Sequence, residues 1–164
     1  MALGKDYVAQ DCSLARALEV VGERWTLLIV RDAMYGVRRF SDFLARLDIP
    51  RAVLSARLQA LVETGVLVKD GHDYVLTEMG EELFPVVHAL SCWGERHLSA
   101  EVCRIFVHAG CGTPVEVDGT CPSCGRAVPL RDLEIHAGPG ALYRDDPVSV
   151  ALRSPHRMLE PIRP

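Results

Sequence analysis

The stretch from residue 36 to residue 80, GVRRFSDFLARLDIPRAVLSARLQALVETGVLVKDGHDYVLTEMG, leaves the chain little freedom. Phe40, Phe43, Leu44 and Leu47 recur at helical spacing, which predicts a helix over roughly Arg39 to Leu47. Asp48-Ile49-Pro50 then makes a tight turn. Asp48 reads as the N-cap of a following helix, and Pro50 suits a first helical turn, where backbone N–H groups lack partners anyway. That helix runs from about Arg51 to Thr64, buries Leu54, Leu58, Leu61 and Val62, and stops at Gly65. Val66 to Lys69 and Tyr74 to Thr77 alternate around Asp70-Gly71-His72-Asp73, the pattern of a hairpin. Helix, turn, helix and hairpin in immediate succession predict a winged helix-turn-helix, an arrangement that offers one helix to a DNA major groove.

The flanks extend this unit. Residues 1 to 11 read as a loose arm, and Ser13 as the cap of a helix carrying Leu14, Leu18 and Val21 and ending at Gly22. A second helix spans about Glu23 to Tyr35, with Trp25, Leu28 and Ile29 inward. Thr77 caps a long helix from about Glu78 to Leu98, whose acidic start complements the helix dipole. Pro85 should kink it, because the missing N–H removes a bond to residue 81. Leu83, Val86, Val87, Leu90, Trp93 and Leu98 make that helix apolar on more than one side, which suggests dimerisation, with a single-sided core helix as the alternative.

Charge supports contact with DNA locally rather than globally. The whole chain carries −4, yet Arg38, Arg39, Arg46, Arg51 and Arg57 face only Asp42 and Asp48 between residues 38 and 58. A basic face is what phosphate contact needs, although a solvated helix face has the same composition. Arg51, Ala52, Ser55, Ala56 and Gln59 fall opposite the leucines of the fourth helix. Arginine can pair with guanine and glutamine with adenine, so Arg51, Ser55 and Gln59 are the candidate base readers. Lys69 and His72 on the hairpin could touch phosphate, with a plain turn role as the alternative for His72.

Residues 103 to 136 read as a separate module built on His108-x-x-Cys111-Gly112 and Cys121-x-x-Cys124-Gly125. Two such pairs, with nine residues between Cys111 and Cys121, form the two knuckles of a zinc ribbon. Three sulfurs and one imidazole fill a tetrahedral ion completely, so the site is structural rather than catalytic. Val115 to Val117 and Val128 to Ile135 are the expected strands. Cys103 is an alternative to His108, and a dithiol or a metal-free hairpin is an alternative to the metal. A thioredoxin-type site wants a βαβ context, and a deaminase wants His-x-Glu; neither is visible. Beyond Gly138, prolines 139, 147, 155, 161 and 164 predict an extended tail. The expected organisation is therefore mainly α with a small β-hairpin wing over 1–100, a small β zinc-ribbon-like module over 101–138 and a Pro-rich tail over 139–164.

With those residues laid out, the chain resembles the HxlR-type winged-helix transcriptional regulators, relatives of the MarR group. The matching pieces are Cys12, Gly22 to Thr26, Arg39-Phe40, Ile49 to Gly65, Leu76-Thr77-x-x-Gly80 and Leu83 to Trp93 with Pro85, covering about residues 10 to 98. The family often has Ser or Thr where this chain has Pro50. The resemblance implies a homodimer on a roughly palindromic double-stranded operator, with the helix from Arg51 as recognition helix. It also implies a sensing role for Cys12, since some relatives respond to oxidants or electrophiles through a cysteine so placed. A thiol at a helix start has its thiolate favoured, and a small core residue is the alternative.

No convergent acid, base and nucleophile set is present, which argues against an enzyme. No apolar run is long enough to span a bilayer, and the start lacks a signal peptide's apolar core, so the expected location is the cytoplasm. There the six cysteines should be thiols or ligands rather than disulfides. A protein-interaction module built on the winged helix and the ribbon is the competing reading. A small-molecule effector is a further expected partner.

Overall fold

A computed structural model of the chain describes residues 7, 11–142 and 144–163. Most of the expected N-terminal arm lies outside them. Three helices form the first layer: α1 (Ser13–Val21), α2 (Thr26–Met34) and α3 (Phe40–Leu47). The cap of α1 is Cys12 in extended backbone, not Ser13, and it makes no side-chain capping bond. Helix α4 (Arg51–Glu63) follows, then β1 (Leu67–Asp70) and β2 (Asp73–Leu76), paired antiparallel from Leu67↔Leu76 to Asp70↔Asp73. Leu54, Leu58 and Leu61 of α4 are buried, as their spacing requires.

Two turns differ from expectation. Asp48 sits in the left-handed region at φ 51° and closes α3, its N–H donating to the Leu44 carbonyl, so it ends one helix rather than capping the next. A short polar side chain tolerates that conformation. Pro50 occupies the N-cap position of α4. The long helix does not kink at Pro85; it breaks. Thr77 accepts from Gly80 N–H at the start of α5 (Glu78–Glu81), and α6 (Phe84–Leu98) begins anew with Pro85 in its first turn. A first turn costs proline nothing, because its absent N–H had no partner to lose.

The C-terminal region is a four-stranded sheet in the order β4-β3-β7-β8, built from β3 (Arg104–His108), β4 (Thr113–Pro114), β7 (Leu133–Ala137) and β8 (His156–Arg157). The short pair β5 (Thr120–Cys121) and β6 (Arg126–Ala127) hangs from it. Pro129 and a 3-10 turn at Leu130–Asp132 shorten the strand expected over 128–135, and residue 117 lies in a turn.

Residues 144–163 are not a loose extended tail. They form α7 (Pro147–Ala151), whose Asp146 cap accepts from Ser149 N–H, and then a strap that crosses the end of α2. Leu159 N–H donates to Met34 at 2.9 Å and Ile162 N–H to the Gly36 carbonyl at 3.0 Å, while Met158 N–H donates to Leu133. Val148, Leu152, Met158 and Ile162 enter the same continuous buried cluster as Ile29, Phe43, Leu58 and Phe84. Phe106 joins the sheet to the helices, packing edge-on against Phe84 and His88 at centroid distances of 5.4 and 5.1 Å. The three segments expected from sequence therefore share one core.

Gly36 marks where the strap meets the helices. Its φ is +96°, and a Cβ there would stand 1.8 Å from the Glu160 carbonyl oxygen. Gly36→Ala should therefore cost about 2–4 kcal/mol, from the left-handed conformation plus the backbone clash. Urea unfolding of the two proteins checks it; a loss below about 1 kcal/mol would mean that the strap does not hold Gly36 in place.

Candidate nucleic-acid interface and metal centre

The expected recognition face is open. Arg51, Ala52, Ser55, Ala56 and Gln59 are all exposed on α4, opposite its buried leucines. The Arg51 guanidinium lies over the Phe40 ring at 5.3 Å, which steadies the start of α4 against α3. Gln59 donates to Glu63 at 2.8 Å on the same helix face. Arg39 is exposed just before α3; its backbone pairs with that of Asp73 in the hairpin as an antiparallel β-bridge, and the Arg38 carbonyl accepts Tyr74 N–H. These two contacts fix the hairpin beside α3 and α4. Lys69 and His72 are exposed on it, with Lys69 over the Tyr74 ring.

Three arginines stand elsewhere than their spacing suggested. Arg46 turns inward, its side chain only 12% exposed, and donates to the Ser149 hydroxyl of α7. It is not on the open face. Arg38 is half-buried and donates to the Leu159 carbonyl of the strap. Arg57 pairs with Glu23 at 3.6 Å, on the side of α4 that faces the α1–α2 turn. Of the arginines and lysine expected at the DNA face, Arg39, Arg51 and Lys69 are exposed.

The inward turn of Arg46 belongs to a polar network that sequence reasoning missed. Asp32, fully buried in α2, accepts two bonds from Arg31 at 2.8 and 2.9 Å, and Arg46 Nε stands 4.0 Å away. Burial would raise the Asp146 carboxyl, but bonds from Ser149 and the cations Arg46 and Arg144 outweigh it and hold that group below its ordinary range. Arg144 also donates to the Ala45 and Arg46 carbonyls at the end of α3. One signal was available: Asp32 is a lone acid inside the apolar run of α2.

The metal centre assembles from two matching turns. In the first, Cys111 and Gly112 N–H both donate to the His108 carbonyl, at 3.2 and 2.8 Å. In the second, Cys124 and Gly125 N–H donate to the Cys121 carbonyl at 3.2 and 2.8 Å. Gly112 and Gly125 take φ of 72° and 65°, which closes each knuckle without a Cβ in the way. The knuckles converge His108, Cys111, Cys121 and Cys124 so that all four donor atoms lie within 4.8 Å of one another, and this set could hold a metal ion. Cys103 is exposed, near the Glu101 carbonyl, and outside that group. The sulfurs do not ionise alike. Hydrogen bonds from Thr113 first, then from Cys121 and Cys124, bring the Cys111 thiol down to about 6, whereas bonds from Cys111 and Cys121 hold Cys124 up at about 11. A divalent cation drawn among them would displace the remaining protons.

Of the other cysteines, Cys12 is exposed at the start of α1. Cys92 is half-buried on α6 beside His88, and burial, then Glu95, pushes its thiol up. No described helix is long and apolar enough to cross a membrane.

The chain is similar to known proteins. The family model described as an HxlR-like helix-turn-helix matches residues 20–102. An uncharacterised HTH-type transcriptional regulator of Mycobacterium tuberculosis, Rv3095, is 42% identical over 137 residues, covering 78% of this chain and 87% of its own. The regulator YtfH of Escherichia coli, also uncharacterised, is 32% identical over 98 residues, covering 55% of this chain and 78% of its own. The crystal structure of PA1607, a proposed transcription factor, aligns with a TM-score of 0.60 at 36% identity, over 72% of this chain and 89% of that one. These proteins are regulators, not enzymes, and the chain belongs to the HxlR-like helix-turn-helix family of transcriptional regulators.

Proposed function

We propose that the protein acts in the cytoplasm as a homodimer that reads a roughly palindromic DNA operator with α4, and that it carries a structural zinc ion. The observation that carries the DNA reading is the open face of α4, with Arg51, Ala52, Ser55 and Gln59 exposed between α3 and the hairpin. In this reading Arg51, Ser55 and Gln59 meet base edges, and Arg39, Lys69 and His72 meet phosphate. Arg38, Arg46 and Arg57 act behind the interface, by fixing the strap, α7 and the α1–α2 turn. The dimer reading rests on exposed apolar residues: Leu14 and Leu18 of α1 and Val86, Leu90, Trp93 and Leu98 of α6. Single exposed leucines are ordinary, but a run of them along one helix supports a partner surface.

The zinc reading rests on donor spacing. Bonds of about 2.3 Å to sulfur and about 2.0 Å to nitrogen put tetrahedral donors about 3.5–3.8 Å apart. Here Cys111 Sγ stands 3.5 Å from Cys121 Sγ and 3.7 Å from Cys124 Sγ, and His108 Nδ1 lies 3.2 and 3.4 Å from Cys111 and Cys124. Four protein donors leave no open position for a substrate. Cys12, exposed at a helix start, is the proposed redox-responsive thiol, whose oxidation would join subunits or place a polar group near α1.

Three outcomes test these readings. Gln59→Ala should cost about 1–3 kcal/mol at one operator position and little on other sequences, whereas Arg39→Ala should weaken all duplexes and reduce the salt slope by about one. Fluorescence anisotropy across a salt series measures both; equal losses on every duplex for Gln59→Ala would remove it from base reading. The purified protein should hold one zinc per chain by elemental analysis, and Cys121→Ser should abolish it; retention of zinc in that variant would exclude this ligand set. Cys12→Ser should bind DNA normally and lose any response to diamide, and an undiminished response would end the sensor reading.

A further inference from the structure

The polar network around Asp32 borders a cavity of about 370 Å³, within the range of small-molecule sites. It lies between α2, the end of α3, the start of β3 and the segment before α7. Four arginines line it, Arg31, Arg46, Arg104 and Arg144, with Trp25 and Leu28 as an apolar wall. Asp32 and Asp146 answer Arg31 and Arg144 in ion pairs, but neither acid lines the cavity. Arg104 has no carboxylate partner among the described residues; it donates to the Leu152 carbonyl at 2.7 Å. Arg46 Nε is buried without a hydrogen-bond acceptor, 4.0 Å from Asp32 Oδ1, and Asp32 Oδ2 is likewise without a donor. Burial, followed by the cations Arg46 and Arg31 against an opposing pull from Tyr35, holds the Arg104 guanidinium below its ordinary range. Cations gathered this closely around a cavity would be stabilised by an anion within it.

We infer that this cavity binds a small organic carboxylate with an aromatic or aliphatic body, and that its occupancy shifts the DNA-contacting helices. The arginine fork matches a carboxylate in two bonds, and the Trp25–Leu28 wall suits an apolar body rather than a bare inorganic ion. The route to DNA is short. Arg46 and Leu47 end α3, three residues separate that helix from α4, and Arg144 holds the carbonyls of Ala45 and Arg46. A carboxylate drawing Arg46 or Arg144 toward itself would change those contacts and the angle at which α4 is presented. This coupling rests on the reading of α4 as the DNA-contacting helix; the binding site itself does not.

Calorimetric titration of the full chain tests the site with benzoate, phenylacetate and hexanoate, against phenylacetamide and inorganic phosphate. The expected result is one carboxylate per chain, with the amide and phosphate at least about tenfold weaker. Arg104→Gln should lose about tenfold or more of that affinity. Arg144→Gln, whose parent side chain is 46% exposed and whose fold is therefore safer, should lose a similar factor. No binding of any carboxylate, equal binding of the amide, tighter binding of phosphate, or unchanged affinity in Arg144→Gln would overturn the site. Anisotropy on a bound duplex, with and without the tightest carboxylate, tests the coupling. A changed affinity supports it, and an unchanged affinity at carboxylate saturation overturns it. Duplex binding that persists without any carboxylate binding would defeat the site and leave the regulator reading intact.

Discussion

The fully buried carboxylate of Asp32 organises the centre of this protein. Asp32 is fully buried in a helix otherwise chosen for apolar packing, and a charge in that position requires compensation. Arg31 supplies it from the same helix, and Arg46 approaches from α3. Arg46 in turn reaches Ser149, which bonds the Asp146 that caps α7. One chain of polar contacts thus runs from α2 through α3 to an element more than one hundred residues further along the sequence. It fixes α3 on one side while the leucines of α4 fix the other, so the helix pair is held from within rather than by its exposed face.

The C-terminal region then reads as a brace. Its sheet meets the helices through Phe106, which packs against Phe84 and His88, and through the bond between His88 Nε2 and the Glu116 carbonyl. Its strap bonds Met34 and Gly36 at the end of α2. The knuckles lie just beyond β3, because His108 is both the last residue of that strand and the first donor of the cluster. An ion there would therefore hold the end of the strand that carries Phe106, which is how a metal centre remote from α4 would stiffen the core beneath it.

Much of this was legible in the sequence where the signal is periodic or local. The leucines of α4 and the alternating hairpin place themselves, since each pattern suits only one backbone period. The two knuckles were legible from spacing, because each is closed by bonds within five residues. What failed was ambiguous locally or set by distant partners. Asp48 looked like a cap for α4, yet the left-handed turn that closes α3 uses the same residue type. Pro85 looked like a kink, but whether a proline bends a helix or starts one depends on the residues before it, and Glu82 and Leu83 leave the helix first. Arg46 belonged by spacing to a basic face, and only its distant partner Ser149 turns it inward. The prolines of residues 139–164 suggested a loose tail, because strand pairing with β7 and contact with Gly36 leave no local mark.

In the proposed regulator, α4 reads DNA sequence from a two-fold pair of chains. Selection of bound duplexes from a random pool, followed by footprinting of the enriched sequence, tests it whatever the operator is. The expected product is an inverted repeat, protected on one face of the duplex with half-sites about one helical turn apart. Enrichment of no sequence, or of a single unrepeated site with one protected segment, would contradict it.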